Sequence, residues 1–195
     1  MGQTKVSALH MGNSLRHHSG NITDPLTGMT ATEKLGVRTT WGQFYKNKEN
    51  AVDLFVELYR THPETQQLFP FAKEPIEALS CNPQVIAHCV AVAGQVAAMV
   101  DALDDVGLFE ELVRKNARSH ANRKGVTTQH FVFLGQVMRM VMHKKLGSCM
   151  LIEADVGWEK FFKLLMIITT QVYSTIRPPP PKPPKSQHKG GRAAK

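Results

Sequence analysis

Apolar positions recur at helical spacing through the middle of the chain, and no convincing strand alternation appears. Thr30-Ala31-Thr32-Glu33 has the form of a capping box, the side-chain exchange that opens a helix. Val37, Trp41, Phe44 and Tyr45 follow at i, i+4, i+7 and i+8. Asn47 to Asn50 interrupts this stripe, and Val52, Phe55, Val56 and Tyr59 begin another. That second helix should stop at His62, because a proline at position 63 disfavours the α conformation just before it. Asn82-Pro83 opens the next helix, asparagine as N-cap and proline at the first helical position. Its face carries Val85, His88, Cys89, Val92, Val96, Met99 and Leu103. A break at Asp104-Asp105-Val106-Gly107 separates it from a shorter helical run ending near His120. Thr127 or Thr128 caps a helix with the stripe Phe131, Leu134, Met138, Val141 and Met142, closed by Gly147. The last helix carries Trp158, Phe161, Phe162, Leu165, Ile168 and Val172 to about Ile176, where Pro178 stops it. Six or more amphipathic helices without strands make an all-α fold.

Composition adds boundaries to that picture. A chain of 195 residues with 42% apolar content supports one sizeable core with flanks to spare. Residues 1–28 lack periodicity and are expected to be a loosely attached extension, residues 29–176 the folded domain, and residues 177–195 a basic tail. The net charge of +8 sits mainly in that tail, which has six basic residues and no acidic one. The charge therefore gives no reason to expect nucleic-acid binding. Arg177-Pro178-Pro179-Pro180-Pro181-Lys182-Pro183-Pro184-Lys185 forces an extended left-handed conformation. Such a segment is a solvated tail, a ligand for SH3-type grooves, or a contact with anionic surfaces. Met1-Gly2 invites N-myristoylation at Gly2, but Val6 stands where the pattern wants serine or threonine. Three cysteines, Cys81, Cys89 and Cys149, show no framework spacing, and a regulated Cys81–Cys89 bridge stays open beside simple packing. No apolar run reads as a signal peptide or membrane span, so a cytoplasmic protein, monomer or homodimer, is expected.

Candidate chemistry centres on two histidines. His88 and His120 lie 32 residues apart on different helices, so they can face each other across a gap. A histidine on an apolar helix face is more often a satisfied core residue than a ligand, and spacing alone leaves both readings open. Zinc is a poor rival. It wants three or four close-spaced ligands, and adjacent His88 and Cys89 diverge by about 100° around a helix. A planar iron macrocycle held by an axial imidazole would fill such a gap. His120 would supply that imidazole, with its other ring nitrogen donating to a carbonyl or to Ser119.

The stretch Tyr59–Phe71, YRTHPETQQLFPF, carries a resemblance that extends this reading. It resembles the corner where a globin chain leaves its second helix, with Pro63 at the corner and Phe69 matching the phenylalanine that stacks on the haem. Trp41 matches the tryptophan of the first globin helix. Phe55, eight residues before Pro63, matches the bulky apolar residue over the distal pocket. His88 matches the distal histidine, Val92 the apolar residue beside the ligand site, His120 the proximal ligand, and Val126 the apolar residue packed under the haem. The spacing looks closer to cytoglobin-like and arthropod intracellular globins than to myoglobin, and the resemblance covers about residues 30–176.

The resemblance implies a globin fold of about eight helices around haem b, iron protoporphyrin IX. It implies His120 as proximal iron ligand and His88 either as hydrogen-bond donor to a bound gas or as sixth iron ligand. Phe55, Phe69, Val92 and Val126 would line the pocket, and Lys124 or Arg123 would supply a cation for a haem propionate. Two positions depart from the pattern: Asn116 stands where globins usually have leucine, and Ala91 where many have a cation. The implied function is reversible binding of oxygen or another diatomic gas, for storage, transport or sensing, with no catalytic side chains. Redox turnover with a reductase partner is the alternative, as a nitric oxide dioxygenase, nitrite reductase or peroxidase-like activity. A non-haem helical scaffold presenting the proline-rich tail is the third.

Overall fold

The computed structural model describes residues 22–177, and eight α-helices make up most of them. They are α1 (Ala31–Tyr45), α2 (Lys48–Thr61), α3 (Pro63–Gln66), α4 (Ile76–Leu79), α5 (Pro83–Asp101), α6 (Val106–Ala121), α7 (Thr128–Leu146) and α8 (Ile152–Ile176). The starts of α1, α2, α5, α6 and α7 are marked by capping side chains that pair with amides of the first turn. Thr30 Oγ1 accepts from the Glu33 amide at 3.2 Å, and Glu33 Oε2 accepts from the Thr30 amide at 2.8 Å. Asn47 and Asn82 cap α2 and α5 through their side-chain oxygens, each at 2.9 Å. At α7 the cap is Thr127, and His130 takes the place usually held by glutamate: its Nδ1 accepts from the Thr127 amide at 2.9 Å.

One core holds these helices together. α1 crosses α8 so closely that a Cβ added at Gly157 would lie 2.7 Å from the Glu33 carbonyl oxygen, so glycine sets the approach. At that crossing Trp158 is fully buried, donates from Nε1 to Thr40 Oγ1 at 2.9 Å, and meets Trp41 at 5.8 Å between ring centroids. Lys160 pairs with Glu33 at 2.7 Å on the same seam. α6 is fixed on α8 by Phe109 against Phe161, edge to face at 5.5 Å. α7 joins α8 through a bidentate Arg139–Asp155 pair that also takes His143. α5 buries Val85, Cys89, Ala93, Val96, Met99 and Val100.

Three features differ from what the sequence suggests, and a fourth decides a question it left open. The N-terminal extension is anchored from Thr23 onward: Thr23 bridges to Thr30, Thr27 is buried, and Asp24 pairs with Lys34 at 2.5 Å. The break before α6 is a single residue. A short 3-10 turn carries the chain to Asp104, and Asp105 caps α6 by accepting from the Leu108 amide, so Val106 and Gly107 are already helical. The stretch Pro83–Asp104 is long and apolar enough to cross a membrane, by length and composition only. Its apolar face is instead packed into the core, as core helices of globular domains are. All three cysteines are free, with Cys89 buried and Cys81 exposed, so the Cys81–Cys89 bridge is not formed. Gly2 and the proline-rich segment from Pro178 onward lie outside the described residues.

Candidate haem pocket between α5 and α6

α5 and α6 diverge around an apolar cavity of about 970 Å³, counting the space at its mouth. Its lining of aromatic and aliphatic side chains with a few polar groups is that of a small-molecule or cofactor site. Of the residues the sequence singles out, His88, Val92, Phe55, Phe69, Val126 and His120 all line it. Lys124 does not; it is exposed on the loop after α6, and its neighbour Arg123 reaches the cavity. The geometry brings together six positions from four separate parts of the chain.

The two histidines are held differently. His120 Nδ1 lies 2.9 Å from the carbonyl oxygen of Asn116, one turn earlier on α6. A carbonyl can only accept, so Nδ1 carries the proton and Nε2 keeps its lone pair. Of the two partners open to this ring, a carbonyl or Ser119, it takes the carbonyl. His88 has no hydrogen-bond partner among the described residues. Its ring is wedged between aromatic edges, Phe55 at 5.0 Å and 73° and Phe69 at 4.8 Å and 63°. Burial pushes the His88 pKa down to about 4, helped by the positive charge of Arg123 and by His120. Burial lowers His120 as well, against the opposing hydrogen bond to Asn116 and with Arg123 adding to the fall. Both imidazoles are therefore neutral at neutral pH, the form that can donate a lone pair.

Other residues of the cavity were not legible as such. Leu134, Met138, Phe162 and Leu165 read in the sequence as core stripes of the last two helices, and the structure turns them onto the cavity wall. His130 also lines it while capping α7. Asn116 donates from Nδ2 to Gln95 Oε1, a polar bridge from α6 to α5 inside a mostly apolar lining. The sequence marks Asn116 as polar where the resemblance expects leucine, but does not reveal its partner Gln95.

The donor set limits what the cavity can hold. Among the described residues no group of three or more His, Cys, Asp or Glu side chains converges on one point. Two neutral imidazoles cannot by themselves complete a tetrahedral or octahedral site. A metal here would have to bring its equatorial ligands with it, as iron does in a tetrapyrrole. The aromatic and aliphatic walls suit the faces of such a ring, and Arg123 suits an anionic edge group. The residues present therefore fit a haem.

Comparison with known proteins agrees with the fold. The family model for Globin matches residues 52–167. The chain is 29% identical over 147 residues to hemoglobin subunit beta-3 of Aquarana catesbeiana, covering 74% of this chain and 97% of the subunit. It is 25% identical over 138 residues to neuroglobin of Danio rerio, covering 69% of this chain and 86% of that protein. Among solved structures, a hexacoordinated heme protein from an anhydrobiotic tardigrade superposes with a TM-score of 0.71 at 18% identity, covering 77% of this chain and 99% of the other. The all-α arrangement just described is the globin fold, and the chain belongs to the globin family.

Proposed function

We propose that the cavity binds haem b through His120 and that the protein binds oxygen or other diatomic gases reversibly. The observation that carries this reading is the His120 ring. Its tautomer is fixed by the Asn116 carbonyl, and its open Nε2 sits in the same apolar cavity as a second neutral histidine. Haem, when bound, supplies a ferrous iron able to take a gas molecule. Everything else is done by side chains. His120 would hold the group through its open Nε2. Phe55, Phe69, Val92 and Val126 keep water from the cavity. His88, neutral and untethered, can donate a hydrogen bond to a polar gas ligand. A net hydrogen bond between uncharged groups is worth about 0.5–1.5 kcal/mol, or roughly two- to tenfold in affinity. The same freedom would let His88 hold the group as well, in competition with an external ligand. The name of the tardigrade relative supports that option, as does the absence of any hydrogen bond restraining the ring. Arg123 is the cation suited to a haem propionate.

The test is titration of the purified full-length chain with hemin, followed by reduction and addition of carbon monoxide. A Soret band saturating near one equivalent, shifted by carbon monoxide, is expected. A chain that takes up no hemin, or a spectrum indifferent to carbon monoxide, contradicts the proposal.

A further inference from the structure

The end of α8 returns to the loop that follows His120, and its closing residue grips that loop. Arg177 Nη1 donates to the carbonyl of Val126 at 3.0 Å. Nη2 donates to the carbonyl of Arg123 at 2.9 Å and to that of Ala121. These three carbonyls span the segment from the last residue of α6 to a residue on the cavity wall. The last carbonyls of a helix have no partner within it, and a guanidinium is a planar fork of donors able to satisfy several at once. Its positive charge also faces the negative end of the α6 dipole.

A second route leads from the same residue to the same histidine. The Arg177 guanidinium lies 5.8 Å from the centre of the Tyr173 ring. Tyr173 meets Phe131 edge to face at 6.1 Å, and Phe131 meets the His120 ring edge to face at 5.2 Å. Of the loop's own backbone bonds, Arg123 N to His120 O has an ordinary length of 3.0 Å, and two others are long. Asn122 N to Arg118 O and Val126 N to Arg123 O are both 3.3 Å. Gly125 there has a positive φ of 86°. The Arg177 guanidinium adds bonds to three carbonyls of this segment.

We propose that Arg177 is a positioning residue for His120, a clamp that fixes residues 121–126 and so holds the imidazole's open nitrogen in the cavity. The proposal rests on the reading of that cavity as a haem site. Arg177 touches neither the cavity nor the bound group; it acts through the loop and through the Tyr173–Phe131 stack.

The experiment compares full-length wild type with Arg177→Gln, Arg177→Lys and Lys160→Gln. Lys160 lies on the same helix, and its ion pair with Glu33 is on the α1 seam, away from the loop. Three quantities are measured: amide hydrogen exchange of residues 121–127 in the haem-free chain, the rate of haem transfer to an excess of a haem-free acceptor globin, and the iron–histidine stretching band after photolysis of the carbon monoxide complex. Arg177→Gln should exchange those amides about tenfold faster, lose haem about tenfold faster and shift the band, since charge-assisted bonds to carbonyls are among the stronger protein hydrogen bonds. Lysine should recover only part of this, because a point charge cannot reach three carbonyls. Lys160→Gln should change none of the three. The proposal is overturned if Arg177→Gln behaves as wild type, if lysine restores everything, or if Lys160→Gln has the same effects. Should the chain take up no haem at all, the haem-site reading falls, and the exchange rates alone decide whether the clamp exists.

Discussion

The two sides of the cavity hold their histidines by opposite means. On the α6 side, His120 is tied by a hydrogen bond to its own helix, and the loop beyond it is gripped by Arg177 from α8. On the α5 side, His88 has only aromatic edges around it. A ring fixed in tautomer and angle suits a ligand that must never leave. A ring held by packing alone can swing between a partner and an open position at little cost, since an edge contact is worth about 0.5–1.5 kcal/mol. The asymmetry is the physical content of the proposed function: one permanent bond, and one exchangeable.

Three substitutions bear on that asymmetry and a fourth sets a baseline, from large effects to small. Phe55 is 3% exposed, so Phe55→Ala should cost the haem-free fold about 3 kcal/mol in urea unfolding. In the holoprotein it should speed ligand entry while leaving haem loss nearly unchanged. If haem loss rises as much as ligand entry, the two sides are not independent and the comparison fails. Gly125→Val attacks the other side. A Cβ there would meet Leu68 at 2.9 Å on a backbone with φ of 86°. Strain of this kind costs about 2 kcal/mol. Because it falls on the loop after His120, haem loss should accelerate while the rate at which His88 exchanges stays as it was; stopped-flow ligand binding checks both.

Asn116→Leu sharpens the account further. It deletes the side-chain bridge to Gln95 but keeps the backbone carbonyl that His120 uses. Haem retention should persist, with stability changed by no more than about 1 kcal/mol, the worth of a single net hydrogen bond. A collapse of haem binding would mean that the side chain, not the carbonyl, fixes the proximal ring.

The smallest effect lies away from both sides and serves as a baseline. A hydrogen bond from Lys34 lowers the Asp24 pKa to about 2, with backbone donors adding to the fall. A carboxylate held low stabilises the fold above its unfolded pKa, and that stability is lost as pH falls through the folded value. Partial exposure screens the pair, so about 1 kcal/mol should disappear between pH 4 and pH 2. Asp24→Asn should remove that part of the pH slope, as measured by urea unfolding at each pH.

Much of this arrangement is legible in the chain. Stripes locate the long helices to within a few residues, and the caps Thr30 and Asn82 mark two of their starts. The histidine pair and the Pro63–Phe71 corner point to the pocket. What escapes is whatever depends on how the helices meet. The sequence makes Met138 and Leu165 core residues, but only the packing of α7 and α8 decides that this part of the core faces a cavity. Lys124 and Arg123 are equivalent as neighbours in a basic loop. The turn at Gly125 and the clamp from a residue 54 positions away put Arg123 on the cavity and Lys124 in solvent. The aspartate cap that starts α6 at Val106 was masked by an acidic pair that reads equally well as a break. Pro83–Asp104 shows the converse: its composition alone fits a membrane or a core, and its neighbours decide.

The most direct test of one fixed and one exchangeable ligand is the ultraviolet–visible spectrum of hemin-reconstituted wild type, His120→Ala and His88→Ala, ferrous, before and after carbon monoxide. The account predicts that His120→Ala fails to retain hemin on a desalting column. It predicts that His88→Ala retains hemin with a broad, unsplit visible band before the gas is added, and binds carbon monoxide faster than wild type. Hemin retained with an unaltered spectrum in His120→Ala, or lost from His88→Ala, would contradict it.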